Sequence, residues 1–308
     1  MNIILNWLGN IPEFAFPYAL AALGLIIIER SGVLALGAEG LMLIGALMGV
    51  GAYIQTGNVA IALFSGMFFS SVISLLFAFM VLVLRINQVI SGLVLVFFCQ
   101  GLSALIGTTM EWTNHPVQGL QNLNVWILSD LPVIGDIFKQ NIIIYLAPVI
   151  FLVTNWLLFR SVIGLRLRAV GETPQAADSA GISVNTYRLM AIIIGSALIG
   201  LAGAYISVLS TKMWIANMIG GRGWIAIALV IFSRWSPWKA LAGAILFGCI
   251  EAIIPQLAAA GIRLPQYIVF MTPYLVTLGV MIWIAIKKPE ETSQPSALGT
   301  PFTREERI

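Results

Sequence analysis

Arg160-Ser-Val-Ile-Gly-Leu-Arg166-Leu-Arg168-Ala-Val-Gly171-Glu172-Thr173-Pro174-Gln175-Ala176-Ala177-Asp178-Ser-Ala-Gly181-Ile-Ser183 is a polar island in a chain that is otherwise almost continuously apolar. One hydrophobic run ends just before it and another begins just after it. Within it Thr173 suits a helix N-cap, Pro174 the first helical position and Gly181 the stop. This punctuation predicts a helix of about two turns, roughly 10 Å long at ~1.5 Å per residue. A short bounded helix between two apolar runs reads either as a docking element for a soluble partner or as an ordinary loop. Spacing alone leaves both open.

The runs on either side decide the fold class. The chain has 308 residues, of which 59% are hydrophobic and only 9% charged, with a mean hydropathy of +0.97. A soluble domain carries about a quarter charged residues, so most of this surface faces lipid. The expectation is an all-α polytopic membrane protein, because a helix satisfies its own backbone in hydrocarbon. A span needs about 20 mostly apolar residues. Nine such segments are read at 11–28, 33–53, 58–84, 88–107, 141–159, 184–209, 223–232, 240–255 and 264–286, within a range of eight to ten.

The seventh segment is exceptional. Only eleven residues separate Arg222 from Arg234, too few to cross a core of about 30 Å. Either the stretch from Lys212 contributes, or this is a half-helix covered by protein or lining a cavity. The turn Gly220-Gly221-Arg222-Gly223-Trp224 is therefore a candidate wall of a pathway. The N-terminal Met1-Asn-Ile-Ile-Leu-Asn-Trp7 lacks a basic n-region and a small-residue cleavage pattern, so no removable signal peptide is expected. Residues 1–286 read as one membrane domain holding the island 160–183. The tail 287–308 mixes charge, Ser and Pro and is expected to be poorly ordered.

Charge placement gives the sidedness. With the N-terminus outside, Arg30, Arg85, Arg160, Arg166, Arg168, Arg188, Arg234, Lys239, Lys287, Lys288, Arg304 and Arg307 lie inside. Lys139, Lys212, Arg222 and Arg263 lie outside. Twelve against four obeys the positive-inside rule and puts the island and the C-terminus in the cytoplasm. The longest external segment, 108–140, is read as a lid, with Trp112 and Trp126 as interfacial anchors.

Two carboxylates fall deep in apolar runs, Glu39 and Glu251, where an ionised group costs about 2–3 kcal/mol and normally faces a cavity or a partner. No Lys or Arg within those runs is available to pair with them. Each reads as a pathway group or as a carboxyl hydrogen-bonded to a neighbouring helix. Asn87, Gln88 and Ser91 open the fourth span and Gln100 lies farther along it. Such neutral hydrogen-bonding groups suit an uncharged, hydroxyl-bearing solute. Cys99 and Cys249 sit in apolar runs without metal-ligand spacing and read as packing residues.

Catalytic signals are missing. The single histidine, His115, is in the external segment, so no zinc motif and no Ser-His pair exist. No Gly-x-x-x-x-Gly-Lys-[Ser/Thr] loop occurs, so energy from ATP would have to come from another chain. No metal, no cofactor and no nucleic-acid partner are expected for this chain.

Three motifs together carry a resemblance. They are Leu36-Gly37-Ala38-Glu39-Gly40-Leu41-Met42-Leu43-Ile44-Gly45-Ala46, the stretch from Arg168 to Ile182, and Gly221-Arg-Gly223-Trp224-Ile225-Ala226-Ile-Ala228-Leu-Val-Ile-Phe-Ser-Arg234-Trp-Ser-Pro237. With Asn87-Gln88-Val-Ile-Ser91-Gly92 between them, the chain resembles the ribose/branched-chain amino acid class of bacterial ABC importer permeases, in its simple-sugar or nucleoside branch. The resemblance runs over about residues 10–286. It implies a fold similar to the vitamin B12-type importer permeases, in the bacterial cytoplasmic (inner) membrane. It implies a permease dimer, expected to be a heterodimer with a homologous second permease, a cytoplasmic ABC ATPase that binds ATP and Mg, and an extracytoplasmic substrate-binding protein. Gly171, Glu172, Thr173, Pro174, Gln175, Ala176, Ala177, Asp178 and Gly181 would form the ATPase-coupling segment. Glu39, Asn87, Gln88, Ser91, Gln100, Trp224 and Glu251 are the pathway candidates. The family usually has Gly near Ser233, a mild departure. The expected cargo is a nucleoside, with ribose or another simple sugar as the alternative. An ion-coupled transporter is the more distant alternative, with Glu39 and Glu251 as its only candidate ion sites.

Overall fold

A computed structural model describes residues 2–121, 123–124, 138–259, 261, 271–272, 275, 278–279, 282 and 294–303. Among the described residues, the helices in chain order are α1 Asn2–Glu29, α2 Ala38–Thr56, α3 Val59–Ala78, α4 Gln88–Thr109, α5 Ile142–Arg160, α6 Val162–Glu172, α7 Pro174–Ser179, α8 Val184–Tyr205, α9 Arg222–Ser233 and α10 Pro237–Ala259. π-type turns extend α3 through Phe79–Val83 and α8 through Ile206–Ser210. Among the described residues, seven helices are long and apolar enough to cross a membrane, and α9 is a shorter apolar helix. The chain is thus a mostly helical multi-pass membrane protein. The expected ninth span, 264–286, lies almost wholly outside the described residues.

The helix starts follow from local chemistry. Asn58, Asn87 and Asn141 each accept hydrogen bonds from first-turn amides of α3, α4 and α5, so the chain turns into each apolar run on an Asn cap. Gly57, at φ +64°, closes α2 in the left-handed conformation.

The bundle has a buried centre and a lipid-facing rim. The apolar stretch of α1 is 78% buried and that of α5 only 17%, so α1 is central and α5 peripheral. α1 packs along α8 and α10, while α2 and α3 flank α8. Close crossing rests on small residues: a Cβ on Gly24 would strike the Gly195 carbonyl, and one on Gly45 the Gly200 backbone. Serine hydroxyls pin the same crossings. Ser70 Oγ donates to Leu41 O at 2.9 Å, Ser207 Oγ to Ala46 O at 2.8 Å and Ser71 Oγ to Ile193 O at 3.0 Å.

Two expectations are corrected. The second span does not start at Val33, because residues 31–37 form a buried, non-helical connector and α2 begins at Ala38. Such backbone is tolerated at membrane depth only inside protein. Here Gln88 Oε1 accepts from Leu34 N at 2.6 Å, and Gly37 rests on Leu95. Trp112 is a half-buried ring packed on Gly51; Trp126 lies outside the described residues. Residues 294–303 of the tail are folded onto the end of the bundle that carries the island, Ala297 N donating to Gly171 O at 3.0 Å. At the opposite end, residues 114–117 pair with the stretch after α8, Asn114 N donating to Trp214 O at 2.9 Å and Val117 N to Lys212 O at 2.8 Å.

Candidate functional site

Helix α9 has 12 residues, about 18 Å at ~1.5 Å per residue, which is little more than half of a hydrocarbon core of about 30 Å. Of the two readings left open for 223–232, it fits the half-helix. Its far end, at Trp235, meets the first residues after α1, so its N-terminus stops deep within the bundle. Glu39 meets it there. The carboxylate accepts from Gly221 N at 2.8 Å through Oε1 and from Gly223 N at 2.7 Å through Oε2. The free amides of a helix start and the positive end of its dipole are where a buried carboxylate is held best. Gly223 must lack a side chain, because a Cβ would meet the Glu39 backbone.

Beside this cap, Arg222 Nη2 lies 3.1 Å from Glu251 Oε1 of α10, the side chains 28% and 15% exposed. This corrects the expectation that Glu251 has no basic partner within the membrane. Arg222 was counted among the external residues because it borders an apolar run, and only a helix starting mid-bundle brings it to α10. The same guanidinium donates to Met218 O and Ile219 O, both at 3.2 Å. The hydroxyl of buried Tyr18 on α1 faces the pair. Trp224 is half-buried one residue beyond the cap.

The other pathway candidates separate. Asn87 is exposed and caps α4, Val89 N donating to its Oδ1 at 2.9 Å. Gln88 holds the non-helical connector. Ser91 is buried on the α4 face toward α2, and its hydroxyl and the Gln88 amide nitrogen have no hydrogen-bond partner among the described residues. Gln100 is half-buried on α4. These four do not converge on the Glu39–Arg222–Glu251 cluster as one site.

The island folds into two helices. Ser161 caps α6 by accepting from Gly164 N at 3.0 Å. Thr173 is the N-cap of α7 by position, but its side chain makes no capping bond, so Pro174 and the left-handed Gly181, at φ +80°, punctuate the helix instead. α7 spans six residues, Pro174–Ser179. Pro174 and Ala177 face inward, Asp178 is half-buried, and Gln175, Ala176, Ser179 and Ala180 are exposed.

Gly171, where α6 ends, presses directly on the chain after α1, since a Cβ there would strike the Arg30 carbonyl. Arg30 in turn grips the end of α9, its Nη2 donating to Trp235 O at 3.1 Å. Trp235 Nε1 donates to the buried Glu29 carboxylate at 2.6 Å. Arg30 and Arg168 both stack on Phe159 at the end of α5, at 5.7 and 5.2 Å from the ring centre. Burial lowers the Arg30 guanidinium pKa from its ordinary value, with Glu172 raising it and Arg168 lowering it further. Arg30, Trp235 and Glu29 thus join the island to the far end of the helix whose near end Glu39 caps.

Sequence reasoning missed Glu29, Trp235 and Arg188 as parts of this joint. Glu29 closes an apolar run and Trp235 follows another, so both looked like ordinary span ends. Arg188, four residues into α8, is 1% exposed, with Nε on Ser31 O at 3.3 Å. Its place inside the apolar segment 184–209 was the available signal.

A broken half-helix with an acid-capped start, inside a glycine-crossed helical bundle, defines a transport-type membrane protein. The chain belongs to the family described as branched-chain amino acid transport system / permease component, whose model matches residues 8–285. A proposed glucose ABC transporter permease of Haloferax volcanii is 36% identical over 99% of both chains. A nucleoside ABC transporter permease of Lactococcus lactis is 29% identical over 91% of this chain and 92% of its own. A guanosine ABC transporter permease of Bacillus subtilis is also 29% identical, over 96% of this chain and 95% of its own. The first two organisms each hold a second permease similar to this chain at 25% identity, named for glucose and for nucleosides respectively. No solved structure matches the chain closely enough to report. The chain is an ABC permease of the simple-sugar/nucleoside kind.

Proposed function

We propose that the chain is the membrane-spanning subunit of an ATP-driven importer for a neutral, hydroxyl-bearing solute, with nucleosides as the first cargo. The carrying observation is the continuous joint from the exposed face of α7, through Gly171, Arg30 and Trp235, to the half-helix α9. A cytoplasmic ABC ATPase, binding ATP and Mg, docks on Gln175, Ala176 and Ser179. Its closure displaces α7. Arg30 passes that displacement to α9, whose Glu39-capped start then moves against α2 and α10. The solute crosses where this chain meets a second, homologous permease, passing the Arg222–Glu251 end of α9. A binding protein delivers it from outside.

Two relatives named for nucleosides support the cargo. The 36% identity to the Haloferax permease favours glucose or another simple sugar as the second reading. Ligand binding by the cognate binding protein separates them: nanomolar-to-micromolar capture of guanosine or cytidine supports the first, and capture of glucose or ribose alone overturns it. The heterodimer is supported by the paired permeases of two organisms. The B12-type fold, the N-terminus outside and the C-terminus in the cytoplasm complete the proposal, in agreement with the twelve-to-four charge bias.

Glu39 and Glu251 are both engaged, one by backbone amides and one by Arg222, which argues against an ion-coupled cycle. For the docking assignment, Ala176→Trp is expected to weaken ATPase association by at least about tenfold while leaving membrane insertion intact, as one bulky side chain at the centre of a small interface does. Replacing Asp178 by Ala is expected to lower the rate of ATP-driven uptake. Wild-type association and uptake in both variants would reject docking at α7.

A further inference from the structure

The C-terminal segment 295–302 lies beyond the residues the family model matches, 8–285, and is folded across the coupling joint. Ser296 donates twice to one Glu172 carboxylate oxygen, from N at 3.1 Å and from Oγ at 2.9 Å. Ala297 N donates to Gly171 O at 3.0 Å, and Gly299 N to Gly32 O at 3.2 Å. Thr300 O accepts from Arg188 Nη1 at 3.3 Å. Phe302 packs with Val170, Ala177 and Val184 in a small apolar cluster separate from the main core. Pro295 and Ala297 are buried.

These contacts tie together three parts that meet at this end of the bundle: the connector after α1, the α6–α7 hinge and the start of α8. α7 has only six residues, less than isolated helices need to be stable. Its inward face consists of Pro174 and Ala177, and Phe302 joins Ile182 and Tyr187 against the cluster that holds Ala177. Glu172, read from sequence as a group for the ATPase, is exposed and gives one carboxylate oxygen to this segment.

We propose that residues 295–302 are a positioning strap of the coupling joint, which holds α7 in register with the connector after α1 and with α8 so that a push on α7 reaches the spans. The inference rests on α7 being the face that meets the ATPase. Glu172 and Ser296 are its lock, Ala297 and Gly299 its backbone splices, and Phe302 its anchor.

The test uses the complete importer in nanodiscs and proteoliposomes. Chains ending at Ser293, and the full-length Ala297→Pro variant, which lacks the Ala297 N–H, are compared with wild type and with Ser296→Thr, which keeps the hydroxyl. Two quantities are read: solute moved per ATP hydrolysed, and hydrogen exchange at the amides of 176–182. The strap predicts that both disrupting variants lower the transport-to-hydrolysis ratio and speed exchange at α7, each by about tenfold or more, the scale of losing one or two net hydrogen bonds. Ser296→Thr should behave as wild type. Unchanged exchange and an unchanged ratio in either assembled variant overturn the proposal. Failure of the docking assignment shows separately, as Ala176→Trp without effect on ATPase association, while exchange at α7 still reports on the strap.

Discussion

Arg222→Leu is expected to destabilise the protein by about 3 kcal/mol, because it leaves the Glu251 carboxylate in the bundle without its counter-ion. The pair is 3.1 Å apart and little exposed, so solvent screens it weakly. Removing one partner of such a pair costs the desolvation of the other, whereas removing both at once can be nearly neutral. The double variant Arg222→Leu/Glu251→Leu should therefore melt close to wild type, while each single variant melts well below it. Thermal unfolding in detergent, run as a double-mutant cycle, measures this directly. Additive losses would show that the two charges answer to different surroundings. Transport should fall in all three variants if the charged end of α9 faces the solute path.

Glu39→Ala is expected to be as severe for a different reason. It strips the acceptor from Gly221 N and Gly223 N, two amides that no other part of the helix can satisfy. At about 1–3 kcal/mol for each buried unsatisfied donor, the start of α9 should fray and ATP-driven uptake fall on the order of 100-fold, the equivalent of about 3 kcal/mol. Glu39→Gln keeps one carbonyl acceptor and no charge, so it should retain a substantial part of the stability and of the uptake. The contrast between Gln and Ala separates a cap from an ion site. A carboxylate that carried protons or sodium would lose uptake equally in both.

The membrane class, the island's helix and the half-helix at 223–232 were legible because each depends on local pattern: apolar run length, the Thr-Pro and Gly punctuation, and two arginines too close together to bracket a span. The partner of Glu251 was not legible. Arg222 lies 29 positions away in sequence, and assigning it to the external side followed from treating α9 as a full crossing. The non-helical connector before α2 was missed for a related cause: residues 31–37 are apolar enough to count as span, and only Gln88 on another helix shows that their backbone is satisfied from outside. The island's short helix was placed, but not how its side chains divide between contact and exposure. Glu172 turns toward Ser296 while Gln175, Ala176 and Ser179 are exposed, a distinction that depends on a tail whose charge and Ser/Pro content read as disorder. Local composition describes what a segment does alone; four backbone and side-chain hydrogen bonds from Ser296, Ala297 and Gly299 outweigh that tendency here.

The most direct test of ATP-driven import is uptake of labelled guanosine and of labelled glucose into proteoliposomes holding this chain with its second permease, its ATPase and its binding protein. Uptake of one of these solutes that requires ATP inside the compartment bearing the ATPase, persists with proton and sodium ionophores, and is lost with Ala176→Trp is the predicted result. Uptake that proceeds without ATP and collapses with the ionophores would contradict it.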